Sequence, residues 1–290
     1  MRSHALALCL TVLAAGCADL PDDQKRISEL SAEIAKLRAA NEQLRARLRA
    51  IKRPDAPEVS DEIATLRFRG LVRSSDGSNS IGNYTVTGPV ASSLRPISDQ
   101  LTKLAIDSQF ERVFGRGHHD VYRLPDQGEL QLIAQDPALE EMSWLSAIAF
   151  DTKRNRLLAS TFAGGGYLYV YEPDKDQWSI VCRPGLGVCA LAYAEQDDVL
   201  YGVNLAAGPK ETVKTLMTFN QHGARTSEIS LSEEIETGGD FGHTQLLWDK
   251  GWLFLVQSQL GHRRRDVRPH GYLIQPDTGE VHFSSELIPE

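Results

Sequence analysis

The chain has 290 residues, of which 41% are hydrophobic and 24% are charged, and its formal net charge at pH 7 is -8. The charge is uneven: residues 24–53 carry nine basic and three acidic side chains, which leaves residues 54–290 with a net charge of -12. We expect no nucleic-acid binding, because an acidic domain repels the phosphate backbone. No segment has the ~20 consecutive apolar residues that a membrane-spanning helix needs.

Residues 1–16 have the layout of a secretory signal peptide. Arg2 supplies the charged start, Ala5–Val12 the short apolar core, and Leu13-Ala14-Ala15-Gly16 the small residues before a cleavage site. Together with Cys17 this run resembles the lipobox of bacterial lipoproteins. The resemblance implies that residues 1–16 are removed and that Cys17 carries lipid. An ordinary signal peptide followed by a chance cysteine is the alternative.

Residues 17–23 would then form a lipid-anchored N-terminus whose first partner is the lipid bilayer. Two or more acyl chains attach a protein stably, whereas one does so only marginally. The position after Cys17 is Ala18 rather than an aspartate. In the enteric lipoproteins that the motif resembles, this implies the outer membrane, with the protein facing the periplasm.

Residues 24–53 are predicted to form a parallel coiled-coil stalk. Apolar residues recur at alternating spacings of three and four, which keeps one seam on one face of a helix. One heptad position holds Ile27, Ile34, Asn41 and Leu48, and the other holds Leu30, Leu37, Leu44 and Ile51. β-Branched residues at the first position and leucine at the second favour two strands, and a lone core asparagine sets the register. We expect a homodimer; a trimer and a solitary amphipathic helix are the alternatives.

Residues 54–61 include two prolines and are predicted to be a linker. Residues 62–290 then show a repeat. Turn residues at Pro125, Pro173, Asn220 and Pro276 recur at spacings of 48, 47 and 56. A second series recurs in step, namely Leu104–Asp107, Ile148–Asp151, Leu191–Ala194 and Leu246–Asp249.

Each unit of about 45 residues has room for four strands, which is typical of β-propeller blades. The fold class predicted is therefore mainly β, a propeller of about 4 to 6 four-stranded blades preceded by an α-helical coiled coil. Trp144–Asn204 resembles the WD40/YVTN-like superfamily. Residues 62–98 are the least regular unit, and a pair of β-sandwiches is the competing architecture.

The candidate binding residues lie in loops that precede predicted inner strands. They are Glu141, Trp144, Asp240 and His243. Such side chains could bind a metal or act in acid-base chemistry, but they are also common in solvated loops. We therefore assign no catalytic residue, metal ion or cofactor.

Three aspartates and two cysteines have structural interpretations. Asp107, Asp151 and Asp249 could form an acidic ring, but their positions after inner strands favour turn formation. Cys182 and Cys189 lie on strands about 14 Å apart in a propeller, too far for a disulfide. We expect two buried thiols.

These features predict a lipid-anchored envelope protein whose propeller is a non-enzymatic scaffold for another envelope protein. The fold alone does not decide function. A propeller enzyme of the metal-dependent lactonase or hydrolase type and a small-ligand or glycan sensor are the alternatives.

Overall fold

The computed structural model describes residues 60–74, 78–107, 112–117, 120–125, 129–133, 145–162, 166–183, 187–205, 214–235, 244–257 and 269–287, together with 33, 34 and 36. The chain divides into two compact units, Met1–Glu58 and Val59–Glu290. In the first unit Glu33, Ile34 and Lys36 are helical and exposed. Cys17 and the other seven heptad residues lie outside the described residues, so the lipid anchor and the coiled coil stay predictions.

The second unit consists of five antiparallel four-stranded sheets, each made of consecutive strands. A short helix, α1 (Asp61–Ala64), precedes the first sheet. The strands are β1 (Phe68–Arg73), β2 (Asn79–Thr85), β3 (Gly88–Pro89), β4 (Arg95–Ile97), β5 (Lys103–Asp107), β6 (Arg112–Arg116), β7 (Val121–Leu124), β8 (Gln131–Ile133), β9 (Leu145–Asp151), β10 (Arg156–Thr161), β11 (Leu168–Glu172), β12 (Gln177–Cys182), β13 (Ala190–Ala194), β14 (Val199–Asn204), β15 (Thr215–Phe219), β16 (Arg225–Ser230), β17 (Thr244–Asp249), β18 (Trp252–Gln257), β19 (His270–Ile274) and β20 (Val281–Glu286).

The sheets are the five blades of a β-propeller. The first strand of each blade contacts the first strands of its two neighbours, so β1, β5, β9, β13 and β17 form a closed ring around the axis. The propeller prediction is confirmed, and the β-sandwich alternative is wrong. The second sequence series lies in β5, β9, β13 and β17, and the turn series follows the third strand of each regular blade.

Blade 1 differs from the other four in direction. The backbone N–H of Arg67, just before β1, donates to Asp249 Oδ2 at the end of β17, at 2.8 Å. Gln245, near the start of β17, contacts Leu71 near the end of β1. Strand β1 therefore runs antiparallel to β17. β3 and β4 pair with opposite ends of β2 and make one interrupted outer strand, which explains the irregular sequence of this unit.

Side chains close the ring between blades 5 and 1. Oε1 of Gln245 accepts from the N–H of Leu71, and its Nε2 donates to the carbonyl of Leu71, both at 2.8 Å. The rings of Phe68 and Phe254 stack with centroids 4.8 Å apart. Ser285 Oγ donates to the carbonyl of Val86 at 2.7 Å. The first and last blades are thus joined by side chains rather than by a shared sheet.

Replacing Gln245 should weaken the whole domain. Gln245→Ala leaves the buried N–H of Leu71 without this acceptor, and we expect the free energy of unfolding in urea to fall by about 2 kcal/mol. The control is Gln177→Ala on the exposed side of β12, where a change within about 0.5 kcal/mol is expected. Equal effects of the two substitutions would contradict the closing role of Gln245.

Candidate functional site

A cavity of about 350 Å³ lies on the propeller axis and is lined by residues from all five blades. Its floor is aliphatic and consists of Leu104, Ile148, Leu191 and Leu246, one from each regular blade. The lining continues from these residues toward the ends of β5, β9, β13 and β17, and we call that side the mouth. A volume of this order lies at the small end of the range for ligand pockets.

The cavity walls nearer the mouth are aromatic, and other side chains of the blades pack against these aromatic rings. Trp248 stacks on Tyr201 with ring centroids 5.5 Å apart. Phe150 stacks on Phe114 at 5.2 Å, and the Arg112 guanidinium lies 5.0 Å from the centre of the Phe150 ring. These contacts fix the wall residues, so the cavity is formed before any ligand arrives.

Tyr193 completes the aromatic wall and is fixed by a charged network. Its hydroxyl donates to Asp198 Oδ1 at 2.8 Å. Asp198 in turn accepts two hydrogen bonds from Arg154 of the preceding blade, at 2.7 and 2.6 Å. The hydrogen bonds from Arg154, and then that from Tyr193, hold the pKa of Asp198 well below its usual range. Burial, and then the hydrogen bond to Asp198, raise the pKa of Tyr193.

Charged side chains surround the mouth unevenly. Arg67 and Arg69 of blade 1 and Lys250 of blade 5 are exposed and line the cavity. The Arg67 guanidinium donates to the carbonyls of Ala64 and Leu66 at 2.8 and 2.7 Å. Exposed Glu195 lies on blade 4. One side of the mouth is therefore basic and another is acidic.

The opposite end of the axis, which we call the polar end, contains buried polar side chains. Lys103 is only 3% exposed, and its ammonium donates to the carbonyl of Cys189. This contact joins blade 2 to blade 4 and therefore crosses the axis. Ser146 Oγ, with its single O–H donor, lies within hydrogen-bond distance of the carbonyls of Ser160, at 3.1 Å, and Val188. These side chains lie beyond the aliphatic floor of the cavity.

The predicted aspartates serve the framework. Asp107 pairs across the sheet with Arg112, and Asp151 pairs with Arg156, with Nε–Oδ2 distances of 2.8 Å in both cases. Asp151 also caps a turn through the N–H of Arg154. Asp249 instead accepts from the backbone N–H of Arg67 in blade 1. The predicted role in a turn is therefore seen for Asp151, whereas Asp107 and Asp249 bind groups on neighbouring strands.

The two cysteines are free thiols, as predicted from their strands. Cys189 is buried, whereas Cys182 is half-buried, so the expectation of two buried thiols is wrong for Cys182. Cys182 Sγ donates to the carbonyl of Gly223 at 2.7 Å, and Cys189 Sγ donates to that of Val203 at 3.1 Å. Burial raises the pKa of each thiol to about 11; the Lys103 ammonium lowers that of Cys189 and limits the rise.

The candidate binding residues Glu141, Trp144, Asp240 and His243 lie outside the described residues. The sequence did not point to Arg69, Glu195 and Lys250, although the inner-strand repeat marks the turns where Glu195 and Lys250 lie. Within the described part of the chain, no group of three or more His, Cys, Asp or Glu side chains is placed to hold a metal ion. No described helix is long and apolar enough to cross a membrane.

No family model and no curated protein matches the chain. Among solved structures it is similar to TolB from Acinetobacter baumannii, with 13% identity, a TM-score of 0.45, and coverage of 79% of this chain and 54% of that one. It is also similar to hydrazine synthase from Kuenenia stuttgartiensis, with 12% identity, a TM-score of 0.40, and coverage of 64% and 49%. The chain spans about half the length of each.

The thiol of Cys189 should make the domain less stable in alkali. Between pH 9 and 11 the unfolded thiol loses its proton while the folded thiol keeps it, because its pKa is about 11 rather than 9.0. The thiol therefore leaves stability almost unchanged below pH 9 and lowers it above pH 9, by about 2 kcal/mol at pH 11.

Urea unfolding at pH 8, 9, 10 and 11 checks this, because Cys189→Ala should remove the alkaline fall that the thiol causes. Tyrosines also ionise in this range, but they do so equally in both proteins. Cys182→Ala should reduce the alkaline fall by a similar amount, because burial raises the pKa of that thiol to about 11 as well. If the free energy of unfolding falls with pH equally in the wild type and in Cys189→Ala, the raised pKa of the Cys189 thiol is contradicted.

Proposed function

We propose that this protein is a lipid-anchored lipoprotein of the bacterial cell envelope whose propeller binds a partner protein without catalysing a reaction. The observation that carries the binding role is the axial cavity, with a preformed aromatic wall and charged side chains at its mouth. Such a site combines apolar area with a few polar groups that orient what enters. The run Leu13–Cys17 supports the anchor, and the heptads support two copies on one stalk.

The described carboxylates around this cavity serve mainly the framework. Asp107 and Asp151, behind the walls, are bound to arginines, and Asp198 is bound to Arg154. Of the carboxylates that line the cavity, Asp249 accepts from a backbone N–H and Glu195 is exposed at the mouth, so the walls offer packing surface and fixed charge. A small-ligand sensor is the second candidate, because the cavity volume suits a small molecule.

The anchor can be tested by two cysteine substitutions in the first twenty residues. Cys17→Ser should abolish labelling with radioactive palmitate and release the protein from the membrane fraction, because the lipid attaches to that sulfur. Cys9→Ser lies inside the predicted signal peptide and should leave both unchanged. A membrane-bound, unlabelled Cys17→Ser protein would contradict lipid anchoring.

The binding role can be tested by photocrosslinking in cells. A photoreactive amino acid at Gln196, exposed at the mouth, should yield a crosslinked adduct with an envelope protein. The matched control is Gln177, exposed on the outer strand of blade 3, where no such adduct is expected. Trp248→Ala should reduce the adduct from Gln196, because it removes a wall of the cavity. The absence of adducts from Gln196 would contradict the proposal.

A further inference from the structure

As far as the described residues show, the axial cavity opens at the mouth and is crossed by contacts at its other end. Behind its aliphatic floor, the ammonium of Lys103 reaches across the axis from blade 2 to the carbonyl of Cys189 on blade 4. Ser146 adds a second contact there, with the carbonyl of Val188. These described contacts obstruct the axis behind the floor, so we expect an occupant to insert an end or a single side chain from the mouth.

The volume limits the occupant further. The whole cavity, from the floor to the mouth, has a volume of about 350 Å³, which accommodates one or two residues rather than a folded segment. The floor is aliphatic and the walls nearer the mouth are aromatic, so burial of an apolar side chain is favourable there.

The charged residues at the mouth favour a particular charge on the part of the occupant that remains outside the cavity. Arg69 and Lys250 lie on neighbouring blades and are both exposed, on a domain whose net charge is -12. A local basic edge on an acidic domain attracts an anion. The ammonium of Lys103 adds positive charge beyond the floor. Glu195, on blade 4, repels an anion and so directs it toward Arg69 and Lys250.

We propose that the mouth captures the carboxyl terminus of the partner protein, with the last side chain, which is apolar, in the cavity and the terminal carboxylate against Arg69 and Lys250. A chain terminus carries an apolar side chain and a carboxylate on the same residue, which the closed cavity and the basic edge require together. Capture of a terminal carboxylate is a known mode of peptide recognition. This inference rests on the proposed function and names the part of the partner that binds.

The test uses isothermal titration calorimetry of the full-length protein with four synthetic probes. These are an acetylated tetrapeptide that ends in leucine, the same peptide as its carboxyl-terminal amide, the same peptide ending in glycine, and N-acetyl-leucine. The leucine acid should bind at least 10-fold more tightly than the amide and the glycine acid. It should also bind more tightly than N-acetyl-leucine, which lacks the preceding peptide units.

Variants of the charged mouth residues test whether each side chain attracts or repels the terminal carboxylate of the peptide. Arg69→Gln and Lys250→Gln should each weaken binding of the leucine acid about 3- to 10-fold and leave the amide unchanged. Glu195→Gln should strengthen binding of the acid by a similar factor, because it removes a repulsive charge. Lys175→Gln, an exposed lysine between β11 and β12, is the matched control and should have no effect. All four positions are exposed, so folding should be preserved.

Each result is decisive. Equal binding of acid and amide, or no binding of any probe, overturns the inference, as does an equal effect of Lys175→Gln. Equal binding of N-acetyl-leucine overturns the assignment to a partner chain and indicates a small carboxylate ligand. Because these outcomes leave the Gln196 crosslinking result untouched, failure of this inference is distinguishable from failure of the proposed function.

Discussion

The contact between Gln245 and Leu71 is the constraint on which the rest of the structure depends. A propeller is a ring, and the axial cavity exists only while the first and last blades are held together. In this protein β1 lies antiparallel to β17 and belongs to its own sheet, so no backbone ladder crosses the seam. One glutamine amide satisfies both backbone groups of a buried residue and substitutes for that ladder.

Polar and apolar side chains divide the axis into two halves with different roles. At the polar end, hydrogen bonds from Lys103 and Ser146 to backbone carbonyls tie blades 2, 3 and 4 together. Buried polar groups require such partners, and once satisfied they fix a single arrangement. At the mouth the ring is held by ion pairs behind the walls, such as Arg154 with Asp198. The aliphatic cavity lies between these two layers.

The repeat was predictable from the sequence because each regular blade uses the same chemistry at the same place. Leu104, Ile148, Leu191 and Leu246 recur as the floor, and the turn residues recur between the third and fourth strands. The direction of β1 was not predictable, because alternation of apolar residues specifies a strand but not the way it runs.

The mouth residues were missed because exposed charges leave no periodic signal. Blade 4 lacks the aspartate–arginine ion pair of blades 2 and 3, because Ala194 and Val199 occupy those two positions. There Asp198, in the turn that follows the inner strand, binds Arg154 of blade 3.

Blade 1 has three strand positions instead of four, and this difference determines where the two ends of the domain lie. Each regular blade crosses its sheet four times and blade 1 only three times, counting β3 and β4 as one outer strand. The domain therefore begins on the mouth side, at Arg67, and ends on the polar side, where Glu286 pairs with His270. A pulling force between the two ends of the domain would act along the propeller axis and would load β1 and β20 in opposite directions, which shears the boundary between blades 1 and 5. The seam at Gln245 is then the part of the ring that bears the strain.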